Sequence, residues 1–175
     1  MIIMETERLV LRELEESDYD ALYSVLGDRD IMRHYPYSFD RERVTNWILR
    51  NRERYRIYGF GLWALCLKES GEMIGDCGLT FQPILPVQGV LKPEIGYHLR
   101  ADMQHKGYAR EAAAAVRDWT LANTPFKKIY SYMYTANESS SAVARSMGMS
   151  LETEYTNEDG IRISVYCLDR PAEKA

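Results

Sequence analysis

The chain has 175 residues, the length of one ordinary domain (1–175), and can bury about 70% of the surface its unfolded form would expose, so disulfides or a structural metal are not required to hold it. Hydrophobic residues make up 46% and charged residues 27%, which excludes a disordered or fibrous chain. Twenty-two Lys and Arg against 26 Asp and Glu leave a formal charge of -4, without the basic footprint of a dedicated nucleic-acid binder.

The first residues, Met1-Ile2-Ile3-Met4-Glu5, reach an acid at once and lack both a basic region and an apolar run of signal length; no membrane span is present either, so a cytoplasmic location with no membrane partner is expected. Arg8 to Leu14 carries Leu9 and Leu11 two apart, the period of a half-buried strand. Ser17, with Asp20 three residues on, suggests the cap of a short helix bearing Leu22, Val25 and Leu26 and ended by Gly27. A second helix starts at Asp40, aligns Val44, Trp47, Ile48, Asn51 and Tyr55 on one face, and stops at Gly59. Strands follow at Leu62 to Lys68, Glu72 to Gln82 and Lys92 to Arg100, the first two joined by the turn Glu69-Ser70-Gly71. Gly107 to Ala122 reads as a helix with Ala109, Ala112, Ala113, Val116 and Trp119 on one face, Lys127 to Tyr134 as a strand, and Ser139 to Met147 as a short helix ended by Gly148. Leu151 to Thr156 and Arg162 to Leu168 close the chain as a hairpin around Asn157-Glu158-Asp159-Gly160. This order implies a mixed sheet with helices on its faces.

Cys66, Cys77 and Cys167 form no CxxC spacing and are expected to be reduced. His34, His98 and His105 form no zinc pair, so no metal is expected. Gly59-Phe60-Gly61-Leu62-Trp63-Ala64 fits a dinucleotide pattern but follows a helix and opens a strand, the reverse of the required order. Gln104-His105-Lys106-Gly107-Tyr108-Ala109 is different. It lies between a strand and a long helix, where orphan N–H groups and the positive end of the helix dipole converge, and Gly107 has no Cβ to hold a phosphate away. By itself the hexapeptide suits an anion site or a plain strand-to-helix turn.

The run Gln104-x-x-Gly107-x-Ala109, with Glu111-Ala112 after it, resembles the acetyl-CoA pyrophosphate loop of the GNAT N-acetyltransferases, in the form found in their RimJ/RimL-like branch. Thr6-Glu7-Arg8-Leu9-Val10-Leu11-Arg12 resembles that branch's opening strand and Glu94-Ile95-Gly96-Tyr97 the strand before its loop. Asn137-x-x-Ser140-x-x-Val143, running to Gly148-Met149, resembles its Asn-Ser helix. The resemblance spans residues 6 to 149. It departs from the usual pattern at His105, where Gly or Arg is commoner, and at Met149, which replaces Phe.

The resemblance implies an α/β (α+β) GNAT fold, a twisted, mostly antiparallel sheet of about seven strands with four helices on its faces. It implies acetyl-CoA as donor, its pyrophosphate against the backbone of His105, Lys106, Gly107, Tyr108, Ala109 and Arg110, with Gln104 opening the loop. Leu99 would pair with the pantetheine arm, while Asn137 and Ser140 would lie near the pantetheine and thioester. Acetyl transfer needs a neutral amine and a protonated leaving thiol. Glu94 is the candidate base, or else a surface carboxylate, because sequence alone leaves its strand face open. Ser140 is the candidate acid or simply a helix-start residue, and Tyr134 is a reserve acid or a core residue.

Of 13 tyrosines, Tyr130, Tyr132 and Tyr134 are accounted for by strand alternation, whereas Tyr35 and Tyr37, with Trp47, are candidates for an aromatic acceptor wall. Arg41, Arg43, Arg50, Arg52, Arg54 and Arg56 make the second helix basic, as a solvated face or as an attractor for an acidic acceptor. The expected acceptor is a protein or peptide N-terminal amine. The alternatives are a small amine such as a polyamine or amino sugar, and a module that binds acyl-CoA without turnover. A monomer and a homodimer are both compatible with the sequence.

Overall fold

A computed structural model of the chain describes residues 1–33, 39–83 and 90–172. Its elements are β1 (Ile2–Glu5), β2 (Leu9–Arg12), α1 (Tyr19–Leu26), α2 (Arg41–Tyr58), β3 (Leu62–Leu67), β4 (Met73–Gln82), β5 (Lys92–Leu99), α3 (Tyr108–Asn123), β6 (Lys128–Tyr134), α4 (Glu138–Ser146), β7 (Ser150–Thr156) and β8 (Arg162–Asp169). One sheet joins the strands in the order β1-β2-β3-β4-β5-β6-β8-β7; every neighbouring pair is antiparallel except β5 and β6.

The sheet has eight strands, one more than the hydrophobic periodicity indicated. The addition is β1, four residues whose register against β2 is broken between Ile2 and Met4, too short and irregular to show an alternation. Ser17 is not the cap of α1. It lies in a 3-10 turn, Glu16–Asp18, and Asp18 holds that turn by accepting from the Glu15 N–H at 2.8 Å while Arg12 donates two bonds to its carboxylate, both 2.7 Å. The second helix is capped as the sequence implies: Asp40 accepts from the Arg43 N–H at 2.8 Å, and Gly59, at φ 77°, supplies the left-handed stop.

Helices cover the sheet on both faces. On one, Leu9, Leu11, Trp63, Leu65, Ile74, Leu79 and Ile95 pack against Ala112, Ala113 and Val116 of α3 and Ala144 of α4. The alanines bring α3 close to the strands, and this seats its N-terminus beside the end of β5. On the other, Leu22, Val25 and Leu26 of α1 and Val44 and Ile48 of α2 pack over Ala64, Cys66 and Met73. Close strand packing is required at Gly78, where a Cβ would stand 2.0 Å from the Gly61 carbonyl oxygen and 2.8 Å from Leu62 Cα. Gly78→Ala is therefore expected to destabilise the fold by about 3 kcal/mol, the upper end of ordinary overpacking, as read by denaturant unfolding; a change under 1 kcal/mol would contradict the packing.

Candidate functional site

Strands β5 and β6 run parallel but share a single registered pair, Glu94 with Tyr130. Beyond it β5 stays on β4 as far as Leu99, while β6 stays on β8 along its whole length. The two diverge, leaving a wedge bordered by the β5 edge from Ile95 to Leu99. At its wide end the chain passes through a 3-10 turn, Ala101–Met103, into the loop before α3, where Gln104 Nε2 donates to the Leu99 carbonyl at 3.1 Å. His105 and Gly107 both take left-handed backbone, φ 59° and 84°. For Gly107 this costs nothing; for His105 it stores strain on the order of 1 kcal/mol or more. Gly107 caps α3 without a side-chain bond, and among the described residues no hydrogen bond is donated by the backbone N–H groups from His105 to Arg110. These orphan donors converge at the positive end of a 16-residue helix, with the exposed Lys106 beside them.

The opening segment braces this loop from behind. The Arg8 guanidinium pairs with Glu111 at 2.7 Å, donates to the Lys106 carbonyl at 3.1 Å and lies 4.5 Å from the Tyr108 ring centroid. The Arg8 N–H and the Thr6 hydroxyl also donate to Glu111, at 2.9 and 2.5 Å. Burial alone would raise the Glu111 pKa, but these donors hold it below the usual value. Thr6, Arg8 and Glu111 were legible as two separate motifs. Their union across more than 100 residues was not.

On the face of β5 toward α1 and α2, Glu94, Gly96 and His98 stand opposite Thr80, Gly78 and Asp76 of β4. The two glycines let neighbouring groups come close between the polar pairs: a Cβ on Gly96 would meet the Glu94 carboxylate at 3.2 Å, and one on Gly78 the Gly61 carbonyl oxygen. Glu94 is a buried residue rather than a surface carboxylate, 8% exposed, and accepts from the Thr80 hydroxyl at 3.1 Å. Burial pushes its pKa up to about 7 against the opposing pull of Thr80, His98 and Arg54. Asp76, fully buried, binds His98 Nδ1 at 2.7 Å through one oxygen and accepts from Trp47 Nε1 at 2.8 Å through the other. The Trp47 ring meets His98 edge-on, centroids 5.6 Å apart. Trp47, a candidate for the acceptor wall, thus stands against the Asp76–His98 pair, which had no sequence signal because it exists only in the β4–β5 register.

Burial pulls the His98 pKa down, yet the charge and hydrogen bond of Asp76, with Glu94, raise it above its ordinary value. The sign follows: this pair contributes its full stability below pH 6.5, and the contribution is lost as pH rises through the raised folded-state value. Asp76→Asn is expected to cost about 3 kcal/mol at pH 6, the scale for breaking a buried ion pair, and measurably less at pH 9. Equal losses in unfolding experiments at the two pH values would contradict a charged pair.

Across the wedge, Tyr97 on the α3 face donates to the Ser140 carbonyl at 3.1 Å and shares a 2.9 Å bond with the Ser140 hydroxyl. Asn137 caps α4: its Oδ1 accepts from the Ser140 N–H at 3.2 Å and the Ser139 hydroxyl at 2.9 Å. The register Glu94–Tyr130 puts Tyr130, Tyr132 and Tyr134 on the Glu94 face. Tyr130 is buried against Ile163, Val165 and Cys167, but Tyr132 and Tyr134 are half-buried beside the wedge, so strand packing does not exhaust their surface. Tyr35 and Tyr37 lie outside the described residues. Of the α2 arginines, Arg52 and Arg56 make surface pairs with Glu16 and Glu53, and Arg41 lies over the Tyr23 ring; Arg54 is half-buried and donates to Asn51 at 3.2 Å.

Residues 8–150 match the family described as the acetyltransferase (GNAT) domain. The protein YkkB of Bacillus subtilis (strain 168) is 32% identical over 145 residues, which cover 82% of this chain and 83% of that protein. The N-acetyltransferase YoaA of the same organism is 24% identical over 98% of both chains. Among solved structures, an acetyltransferase from Agrobacterium tumefaciens str. C58 superposes with a TM-score of 0.80 at 28% identity, covering 94% of this chain and 92% of that one. RimL, a ribosomal L7/L12 alpha-N-protein acetyltransferase in complex with coenzyme A, superposes at 0.79 with 22% identity, covering 99% and 100%.

Proposed function

Since the chain belongs to the GNAT family of acetyltransferases, we propose that it moves an acetyl group directly from acetyl-CoA to a primary amine, with a protein or peptide N-terminal amine as acceptor. The observation that carries this reading is the wedge between β5 and β6, with Glu94 on one side of the sheet and the uncapped N-terminus of α3 on the other. When bound, acetyl-CoA supplies an activated thioester carbonyl and a thiol leaving group.

The residues present fit such a donor. The N–H groups from His105 to Arg110 and the Lys106 ammonium suit a diphosphate, and Gly107 permits its close approach. The β5 edge ending at Leu99 offers unladdered backbone to the amide groups of an extended arm, and it provides N–H groups suited to a developing oxyanion. Glu94, with its pKa near 7, takes a proton from the incoming ammonium at neutral pH. Ser140 and Tyr97, already sharing a hydrogen bond on the opposite face, are placed to pass a proton to the departing sulfur. Two protons leave the amine: one ends on the thiol, the other reaches solvent through Glu94.

The N-terminal acceptor is favoured by the face beside Glu94. Tyr132, Tyr134 and Tyr155 lie there on strands whose helix, α4, packs against the other side, so an extended chain has a surface to follow. RimL, of the same fold, acts on a protein α-amine. Thiol release from acetyl-CoA, measured over peptides with free and blocked N-termini and over small amines, tests the proposal. Release that requires a free peptide N-terminus supports it; release with small amines alone replaces the acceptor, and no amine-dependent release overturns it.

A further inference from the structure

Helix α2 carries six arginines and two glutamates in a chain whose net charge is -4. Arg52 and Arg56 have surface carboxylates and Arg41 lies over a ring, but Arg54 and Arg50 do not fit that description. Arg54 is half-buried, donates a hydrogen bond to the neutral Asn51, and among the described residues no carboxylate lies within ion-pair distance of it. Arg50, one helical turn earlier, is exposed and likewise without a carboxylate at that distance. Like charges at this spacing repel, so the pair is a cost to the isolated helix.

The position of Arg54 gives that cost a use. Asn51 Oδ1, which receives the Arg54 bond, also accepts from the Leu62 N–H at 2.9 Å. Leu62 pairs with Gly78 and Gly78 with Gly96, which lies two residues from Glu94 on the same face of β5. The guanidinium therefore lies on the same side of the sheet as Glu94, over the β3–β4 rows that lead to it. Burial and Arg50 both press its pKa downward, with Glu94 acting in the opposite sense, as for a cation lacking a close counter-ion.

We propose that Arg54 binds an anionic group of the acceptor, so that the substrate is an amine carrying a carboxylate near the amino group. Glu94 draws the ammonium and Arg54, supported by Arg50, receives the carboxylate. The planar fork of an arginine matches a carboxylate with two parallel hydrogen bonds. The carboxylate belongs either to an acidic side chain next to a peptide N-terminus or to the α-carboxylate of a free amino acid. The inference rests on Glu94 serving acetyl transfer.

The test compares initial rates of thiol release from acetyl-CoA for two matched sets: C-terminally amidated peptides beginning Ser-Glu or Ser-Gln, and free amino acids against their amides. Wild type is expected to show a KM about tenfold lower for the carboxylate member of at least one set, the scale of one charge-assisted bond. Arg54→Gln should erase that preference with kcat within about twofold, Arg54→Lys should restore part of it, and the KM of the neutral members should not move. A preference within the peptides places the anion on a side chain; one within the amino acids places it on the α-carboxylate. Equal KM values within both sets in wild type, or a preference that survives Arg54→Gln in a variant with unchanged melting temperature, overturn the proposal while acetyl transfer stands. No release with any amine would remove the transfer reading and the proposal together.

Discussion

At pH 8, Glu94→Gln is expected to lower kcat by about 10² to 10⁴, the usual contribution of a positioned base, and at the same time to make the protein more stable. Both follow from burial. In the unfolded chain the Glu94 carboxyl titrates at 4.5; in the fold, burial lifts it to about 7. Below the lower value the group is neutral in both states and contributes nothing. Between the two the unfolded state ionises and the folded state resists, so stability falls, and above pH 7 the loss levels off at about 3 kcal/mol by linkage. Gln carries no charge to be forced into that site. The variant should therefore melt higher than wild type at pH 8 and within a degree or two of it near pH 4.5, while donor affinity stays the same. In wild type, kcat/KM should rise with an apparent pKa near 7, and that limb should vanish in the variant. A Gln variant retaining both the rate and the limb would remove Glu94 from the chemistry.

Gly107→Asp should abolish donor binding in a protein that still folds. A new carboxylate about 4 Å from a bound phosphate costs about 4 kcal/mol at an effective dielectric of 20, or roughly a thousandfold in affinity. The φ of 84° adds about 1–2 kcal/mol for any residue with a Cβ. That Cβ would also sit 3.3 Å from the Arg8 guanidinium, so the added carboxylate competes with Glu111 for the loop's brace. Gly107→Ala isolates the backbone share and should weaken binding by only about tenfold. Calorimetric titration with acetyl-CoA, after circular dichroism has shown the fold, separates the two. An Asp variant binding as tightly as the Ala variant would place the diphosphate elsewhere.

How much of this was legible follows from the range of each signal. Asp40 and Gly59 delimit α2, and Gly107 opens α3, because caps act within a few residues. The loop before α3 was readable for the same reason: its orphan donors are backbone groups. Ser17 misled because an N-cap pattern says nothing of Arg12, which reaches the next residue, Asp18. Glu94 could be named but not placed, since one strand's sequence does not say which side faces a helix; its burial depends on Thr80 and the α2 side of the sheet. Asp76 and His98, 22 positions apart, and Thr6 and Arg8 with Glu111, more than 100 apart, meet only through register and helix packing. Tyr132 and Tyr134 looked like strand residues because alternation explains their spacing; that they share the Glu94 face follows only from the register of β6 on β5.

That missing ladder also makes the sheet two sheets in a mechanical sense. β1 through β5 form one unit and β6, β8 and β7 the other, joined in the sheet by the single bridge at Glu94 and Tyr130. On the proposed reading, an extended donor laid along β5 would serve as a removable strand, supplying backbone partners that the polypeptide itself leaves out. Ligand and fold are then thermodynamically one system. The seam would then gain RT ln(1 + [L]/Kd) as it fills, so donor concentration would set how firmly the two halves are held together.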